Sequence, residues 1–305
     1  MDKVLVIGNG SIGKRHSKNL LQLGFSPVVL TNYPDSNTGV VKYISSLNSV
    51  NDVDFAIVAT PTAQHFDSVE KILRLTTCKK ILIEKPISNT FNGATKIKKL
   101  AEQNNAEIFV AYNMRFLKVF DIVKDLIMHN MSDIKLVHIV AGQYLPEWRP
   151  NKDYRTSYSA HRNLGGGVDL DLSHEIDYMN WCFHRPKNIK ICIREKISKL
   201  DIDSPDYFKG LYEYNNFIVD VELDYFRNKE RTLKILSENK ELLFIDFINK
   251  TISVDGKKRE EKELFDFDGS YLEELKEFLG LSKTKKLTTL EESMSVLTLL
   301  MLEGK

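Results

Sequence analysis

Cysteine is scarce in this chain. Cys78, Cys182 and Cys192 are an odd number with no Cys-x-x-Cys spacing, which argues against a disulfide framework and against a metal site, and makes a reducing cytoplasm the expected location. No stretch approaches the roughly 20 apolar residues of a transmembrane helix. The apolar opening that ends at Gly8 is too short for the core of a signal peptide and reads as a first strand. An excess of one charge is also missing: 43 basic against 42 acidic side chains leave a net charge of +1, so no overall field draws the protein to nucleic acid or to an acidic membrane. Internal repeats and low-complexity tails are absent too, and small neutral or locally paired ligands are the partners this balance suits.

With 305 residues, 42% hydrophobic and 28% charged, the chain is long enough for about two domains with a sizeable core. Its first half alternates strand and helix. Val4 to Ile7, Val28 to Thr31, Asp54 to Ala59, Lys80 to Ile83 and Ile108 to Ala111 are short apolar runs of the kind buried in a parallel sheet. Helical segments at Ile12 to Leu23, Ala63 to Leu75 and Thr90 to Asn104 fall between them. This predicts an α/β, doubly wound Rossmann sheet over residues 1–117, with its ligand outside the carboxyl ends of the strands.

Gly8-Asn9-Gly10-Ser11-Ile12-Gly13 sits on the first strand-to-helix turn, the setting in which G-x-G-x-x-G reads as a dinucleotide fingerprint. Gly8 makes the tight turn, Gly10 lets backbone approach a pyrophosphate, and Gly13 lets helix pack on strand. An acid is expected at the end of the second strand if the cofactor's ribose hydroxyl is gripped directly. The chain instead has Thr31-Asn32-Tyr33, with Asp35 beyond Pro34. Thr31 and Asn32 suit a 2′-hydroxyl or a 2′-phosphate, and Lys14 and Arg15 either serve the phosphate or are a solvated helical turn. NAD and NADP both stay open. Lys85, at the end of the run Lys80 to Ile83, is placed to extend its ammonium into the crevice at the carboxyl edge.

Residues 118–305 read as an α+β domain around a largely antiparallel open sheet. A helix is expected over Lys118 to His129, a strand over Leu136 to Ala141, β-rich segments from Lys187 to Val254, and closing helices at Tyr271 to Leu279 and Leu290 to Leu302. Asp171 and His174, three apart after the glycine triplet Gly165 to Gly167, are expected on one helical face, where a histidine suits proton transfer between alcohol and carbonyl. Trp148, Arg149, Tyr154, Arg155, Tyr158, His161 and Arg162 form an aromatic and basic cluster. Such residues stack on sugar rings and bind carboxylate or phosphate, and the same types also build oligomer contacts.

Five blocks in order make the chain resemble the Gfo/Idh/MocA family of NAD(P)-dependent sugar oxidoreductases over nearly its whole length. They are Gly8 to His16; Ala59-Thr60-Pro61-Thr62 with His65; Glu84-Lys85-Pro86; Asn113-Met-Arg115-Phe116; and Gly165-Gly-Gly167 leading to His174 and Asp177. Tyr144 to Ser159 and Asp171 to Tyr178 further resemble a branch associated with bacterial surface-sugar biosynthesis. The resemblance implies Lys85 as the electrophile on the reacting oxygen, beside substrate and nicotinamide, and a cis peptide bond before Pro86. It implies His174 as general acid/base with Asp171, and Thr60, Pro61, Thr62, His65 and Glu84 along the cofactor. Asn113 and Arg115 would line the mouth of the site, and a homodimer or homotetramer is the implied assembly. Many members carry the aspartate four residues before the histidine, where this chain has Leu170; Asp171 and Asp169 both stay open as partner of His174. The implied activity is hydride transfer between nicotinamide and a sugar or nucleotide-sugar hydroxyl or carbonyl. A redox glycosidase that keeps its NAD, or a non-catalytic dinucleotide sensor, are the alternatives on the same fold.

Overall fold

The computed structural model describes residues 3–35 and 41–301, so Leu302, the expected end of the last helix, lies outside the described residues. Two compact units emerge: the chain up to Phe116 together with Asp268–Met294, and Leu117–Phe267 with the chain from Ser295 onward.

In the first unit, β1 (Val4–Ile7) leads into α1 (Ser11–Gln22), followed by β2 (Val28–Leu30), β3 (Lys42–Ile44), β4 (Phe55–Val58), α2 (His65–Leu75), β5 (Lys80–Glu84), α3 (Phe91–Asn104) and β6 (Glu107–Ala111). All four residues of β1 are buried, which is why an unbroken apolar run appears where an alternating one would mark a half-exposed strand. The Thr90 side chain caps α3 by accepting from the Gly93 N–H at 3.0 Å. These strands run parallel in the order β6-β5-β4-β1-β2-β3, so the order reverses between β1 and β4. That reversal is the switch point at which an open α/β sheet leaves a crevice at its carboxyl edge.

The second unit contains α4 (Val119–Asn130), β7 (Leu136–Gly142), α5 (Val168–Asp171), α6 (His174–Phe183) and strands β8 (Asn188–Glu195) to β14 (Lys257–Glu260). Among these are β9 (Tyr207–Glu213), β10 (Ile218–Asp224), β11 (Glu230–Leu236), β12 (Glu241–Asp246) and β13 (Thr251–Val254). Its sheet runs β14-β13-β12-β11-β7-β10-β9-β8, antiparallel except where β10 lies parallel to β7. An α/β Rossmann sheet and a separate, largely antiparallel sheet are therefore both present.

A boundary at 117/118 leaves out the chain's return to the first unit. α7 (Phe267–Phe278) places Leu275 and Phe278 in the core with Val4, Val6, Ile57 and Leu82, and β15 (Thr288–Thr289) pairs antiparallel with β6. After β15 comes α8 (Leu290–Met301). Among the described residues, no helix is long and apolar enough to cross a membrane, and no His/Cys/Asp/Glu group is arranged to hold a metal ion.

Candidate functional site

At the carboxyl edge of the first sheet, the loops leaving β1 to β4 enclose a cavity of about 670 Å³ lined by Gly8, Asn9, Gly10, Thr31, Asn32, Thr60 and Pro61, among others. The three fingerprint glycines have different reasons. Gly8 has φ +106°, and a Cβ there would lie 2.4 Å from the Ala59 carbonyl oxygen. A Cβ on Gly13 would lie 2.2 Å from the Gly8 carbonyl oxygen, so both positions are closed by the protein's own backbone. Over Gly10 a Cβ would meet nothing within 4 Å, which leaves a bare backbone surface facing the cavity.

No side chain caps α1 and no acid occupies its first turn. The N–H groups of Ser11, Ile12 and Gly13 and the positive end of the helix dipole are therefore suited to an anion. This donor set, with Thr31 and Asn32 at the end of β2, fits the pyrophosphate and ribose of a dinucleotide. The Asn9 side chain ties the turn to the β2 loop by donating to the Tyr33 carbonyl at 3.0 Å. Lys14 and Arg15 do not line the cavity. Lys14 pairs with Asp35 at 2.6 Å, while Arg15 pairs with Asp268 and lies 4.7 Å over the Tyr271 ring.

Because β5 is parallel to β4, Lys85 leaves the sheet at the same edge as this cavity. The Lys85–Pro86 peptide bond is cis, as the family resemblance implies. Glu84 is nine-tenths buried and serves two partners: His16 Nε2 lies 2.6 Å from Oε1, and the Lys85 N–H donates to Oε2 at 3.3 Å.

His65 opens α2 and does not itself line the cavity. It is buried, with Nδ1 3.2 Å from the Ile87 carbonyl and Nε2 3.1 Å from the Thr60 carbonyl, and burial lowers its pKa. Both ring nitrogens face backbone carbonyls, and the neutral ring, with one N–H, donates to one of them at a time. Thr60 and Pro61 line the cavity, whereas Thr62 is buried in the short turn before α2. Asn113 donates to Ser270 Oγ at 2.7 Å, and the buried Arg115 pairs with Glu292 at 3.2 Å, so both are held by partners within the first unit.

In the second unit a turn at Leu172 and Ser173 ends α5 before His174 opens α6, so Asp171 and His174 do not share one continuous helix. Asp171 is 6% exposed and both its oxygens accept: Tyr158 Oη donates to Oδ1 and Tyr225 Oη to Oδ2, each at 2.6 Å. Burial, and then the Asp171 charge, push the Tyr225 hydroxyl well above its ordinary pKa, which keeps it a donor. Asp169 has another partner. It is fully buried with its Oδ2 2.6 Å from Arg194, and burial raises its pKa against the pull of that guanidinium. The glycine triplet is sterically required, since a Cβ on Gly166 would lie 2.3 Å from the Tyr158 carbonyl oxygen and Gly167 has φ +131°.

Trp148, Arg149, Tyr154 and Tyr158 come together around a cavity of about 290 Å³ that also takes in Lys152. Trp148 Nε1 donates to the Gln143 carbonyl at 3.0 Å and its ring stands edge-on to Tyr225 at 5.2 Å. The Arg155 guanidinium is paired with Asp153 at 2.7 Å and does not line this cavity. His161 and Arg162 do not line it either. Sequence reasoning missed Tyr225 and Arg194, which meet Asp171 and Asp169 across separations of 54 and 25 residues with no local signal. His16 lay inside a recognised block, but its partner Glu84 is 68 residues away.

Residues 3–112 match the family model GFO_IDH_MocA, described as an oxidoreductase family with an NAD-binding Rossmann fold. The chain is 24% identical over 192 residues to the scyllo-inositol 2-dehydrogenase (NADP(+)) IolW of Bacillus subtilis, covering 61% of this chain and 49% of that protein. It is 27% identical over 214 residues to the inositol 2-dehydrogenase of Rhizobium meliloti, covering 66% and 61%. The chain thus spans between about two fifths and three fifths of the length of the curated relatives it matches. Among solved structures, the WlbA dehydrogenase of Bordetella pertussis, in complex with NADH and UDP-GlcNAcA, superposes with a TM-score of 0.79 at 16% identity over 98% of this chain and 93% of that one.

Proposed function

We propose that this protein is an NAD(P)-dependent dehydrogenase or reductase of a sugar or nucleotide sugar, a reading supported by the match of residues 3–112 to the Gfo/Idh/MocA oxidoreductase family with its NAD-binding Rossmann fold. The observation that carries the reading is the exit of Lys85 at the carboxyl edge where the Gly8 to Gly13 turn and its cavity lie. Bound there, the nicotinamide cofactor would accept or supply the hydride. Lys85 Nζ polarises the reacting oxygen, and His174 takes or returns the hydroxyl proton. Asp171, fixed by Tyr158 and Tyr225, is a carboxylate of defined direction beside the start of α6. Trp148, Arg149, Tyr154 and Tyr158 supply ring faces and a cation for a sugar and an attached phosphate or carboxylate.

The test screens free and nucleotide-activated sugars by cofactor fluorescence and NADH absorbance, followed by Lys85→Ala, His174→Ala and the double variant. Loss of the Lys85 ammonium is expected to cost about 3 kcal/mol, roughly a hundredfold in turnover. If the two residues serve one step, the double variant loses much less than the sum of the single losses. Normal turnover by Lys85→Ala would refute the assignment.

A further inference from the structure

We infer that His16, a residue of the cofactor-loop helix, is a positioning residue for Lys85, acting through Glu84. β5 ends at Glu84, whose ladder partner on β6 is Ala111, so the Lys85 N–H is the first donor beyond the β5–β6 ladder. Pro86 next in line has no N–H at all. The Lys85 amide is met by the Glu84 carboxylate at 3.3 Å, and the direction of that carboxylate is set by His16 at 2.6 Å on its other oxygen.

His16 is fully buried one turn past the glycine turn, edge-on to Tyr271 with ring centroids 6.4 Å apart. A buried polar ring is costly unless it is bonded. Among the described residues, the only hydrogen bond of this ring is the one to Glu84, since Nδ1 has no partner. An ionised carboxylate only accepts, so Nε2 carries the proton and donates it. The helix that begins at the pyrophosphate turn and the backbone that carries the catalytic lysine are therefore joined through one carboxylate. A small misplacement of a reacting group is expensive, which gives this strut a kinetic consequence.

The consequence for turnover rests on the function proposed above, and the strut itself is tested without it. In His16→Leu, Glu84 loses its anchor, and amide hydrogen exchange at Lys85 is expected to run roughly three- to tenfold faster. His16→Gln, which retains a donor, is expected to restore slow exchange. If the leucine variant does not fold, His16→Asn, too short to reach Glu84, replaces it with the same expectation. Cofactor dissociation constants are expected to stay near native in each folded variant.

With a substrate in hand, the leucine or asparagine variant is expected to lose about ten- to a hundredfold in kcat at nearly constant KM, with recovery in His16→Gln. Unchanged exchange at Lys85 in a folded His16→Leu or His16→Asn protein would overturn the inference, as would an equal defect in His16→Gln. Faster exchange together with normal turnover by Lys85→Ala would instead overturn the function and leave the strut standing.

Discussion

Tyr225 donates its hydroxyl to Asp171 across 2.6 Å from just beyond the end of β10, while Tyr158 holds the other carboxylate oxygen at the same distance. Tyr225 is fully buried, so Tyr225→Phe leaves a buried carboxylate with a single tyrosine donor. Hydrogen bonds to charged groups contribute about 1.5–3 kcal/mol, and a loss in that range is expected in the unfolding free energy of the variant. Tyr158 is partly exposed, so Tyr158→Phe should cost less in stability and more in substrate affinity. Denaturant unfolding and substrate titration of both variants check the pair. Equal stability of the native protein and Tyr225→Phe would remove the structural half of this account.

The three fingerprint glycines separate by variant. Gly8→Ala and Gly13→Ala set a Cβ 2.4 Å and 2.2 Å from backbone oxygens and are expected to lower the melting temperature as well as cofactor affinity. Gly10→Ala meets no protein atom within 4 Å, so its melting temperature without cofactor should stay close to native while affinity falls. A Gly10→Ala protein that binds cofactor normally would move the pyrophosphate away from this turn.

The Rossmann half was legible because both signals were local: unbroken apolar runs for buried parallel strands, and glycines at a turn whose spacing is fixed by packing. β3 and β15 escaped because Lys42-Tyr-Ile44 and Thr288-Thr289 are not unbroken apolar runs, unlike the similarly short β2. The return of α7 to the first core was illegible for another reason. Its buried positions Leu275 and Phe278 fit a helix against either sheet, and nothing local says which. In the site, residue types were readable and commitments were not. Arg155 and Arg115 are cations in the right blocks, yet each is engaged by a carboxylate, Asp153 or Glu292, that the sequence does not mark as its partner. The two aspartates of α5 likewise have partners that no local signal marks, Arg194 for Asp169 and the two tyrosines for Asp171.

Cofactor choice follows from where the cations are. Lys14 is engaged by Asp35, whose carboxyl it holds below the usual range, and Arg15 by Asp268, so neither is presented to a 2′-phosphate among the residues lining the cavity. A 2′-phosphate brings up to two negative charges, and among the residues lining the cavity Lys71 is the one cation to offset them, with Asp67 one turn before it on α2. NAD is expected to bind at least about tenfold more tightly than NADP, a difference of about 1.4 kcal/mol. Asp35→Ala, which releases Lys14, should narrow that ratio, and Lys14→Ala should widen it. Fluorescence titration with both cofactors reads all three proteins, and tighter NADP binding by the native protein would reverse the assignment.

His65 gives the pH dependence a defined sign. Burial lowers its pKa below the ordinary 6.5, so between the two values the unfolded chain binds a proton that the folded protein refuses. The stability it contributes is complete above 6.5 and is lost as the pH falls towards the folded value, by at most about 1.4 kcal/mol per pH unit for one proton. His65→Gln retains a polar side chain to reach the carbonyls of Ile87 and Thr60 but cannot titrate. The native protein should therefore exceed the variant in unfolding free energy near neutral pH, and that margin should shrink as the pH is lowered towards about 5. Urea unfolding at a series of pH values measures the margin directly. A constant margin would mean that His65 carries the same charge in both states, and its burial as a neutral ring would have to be given up.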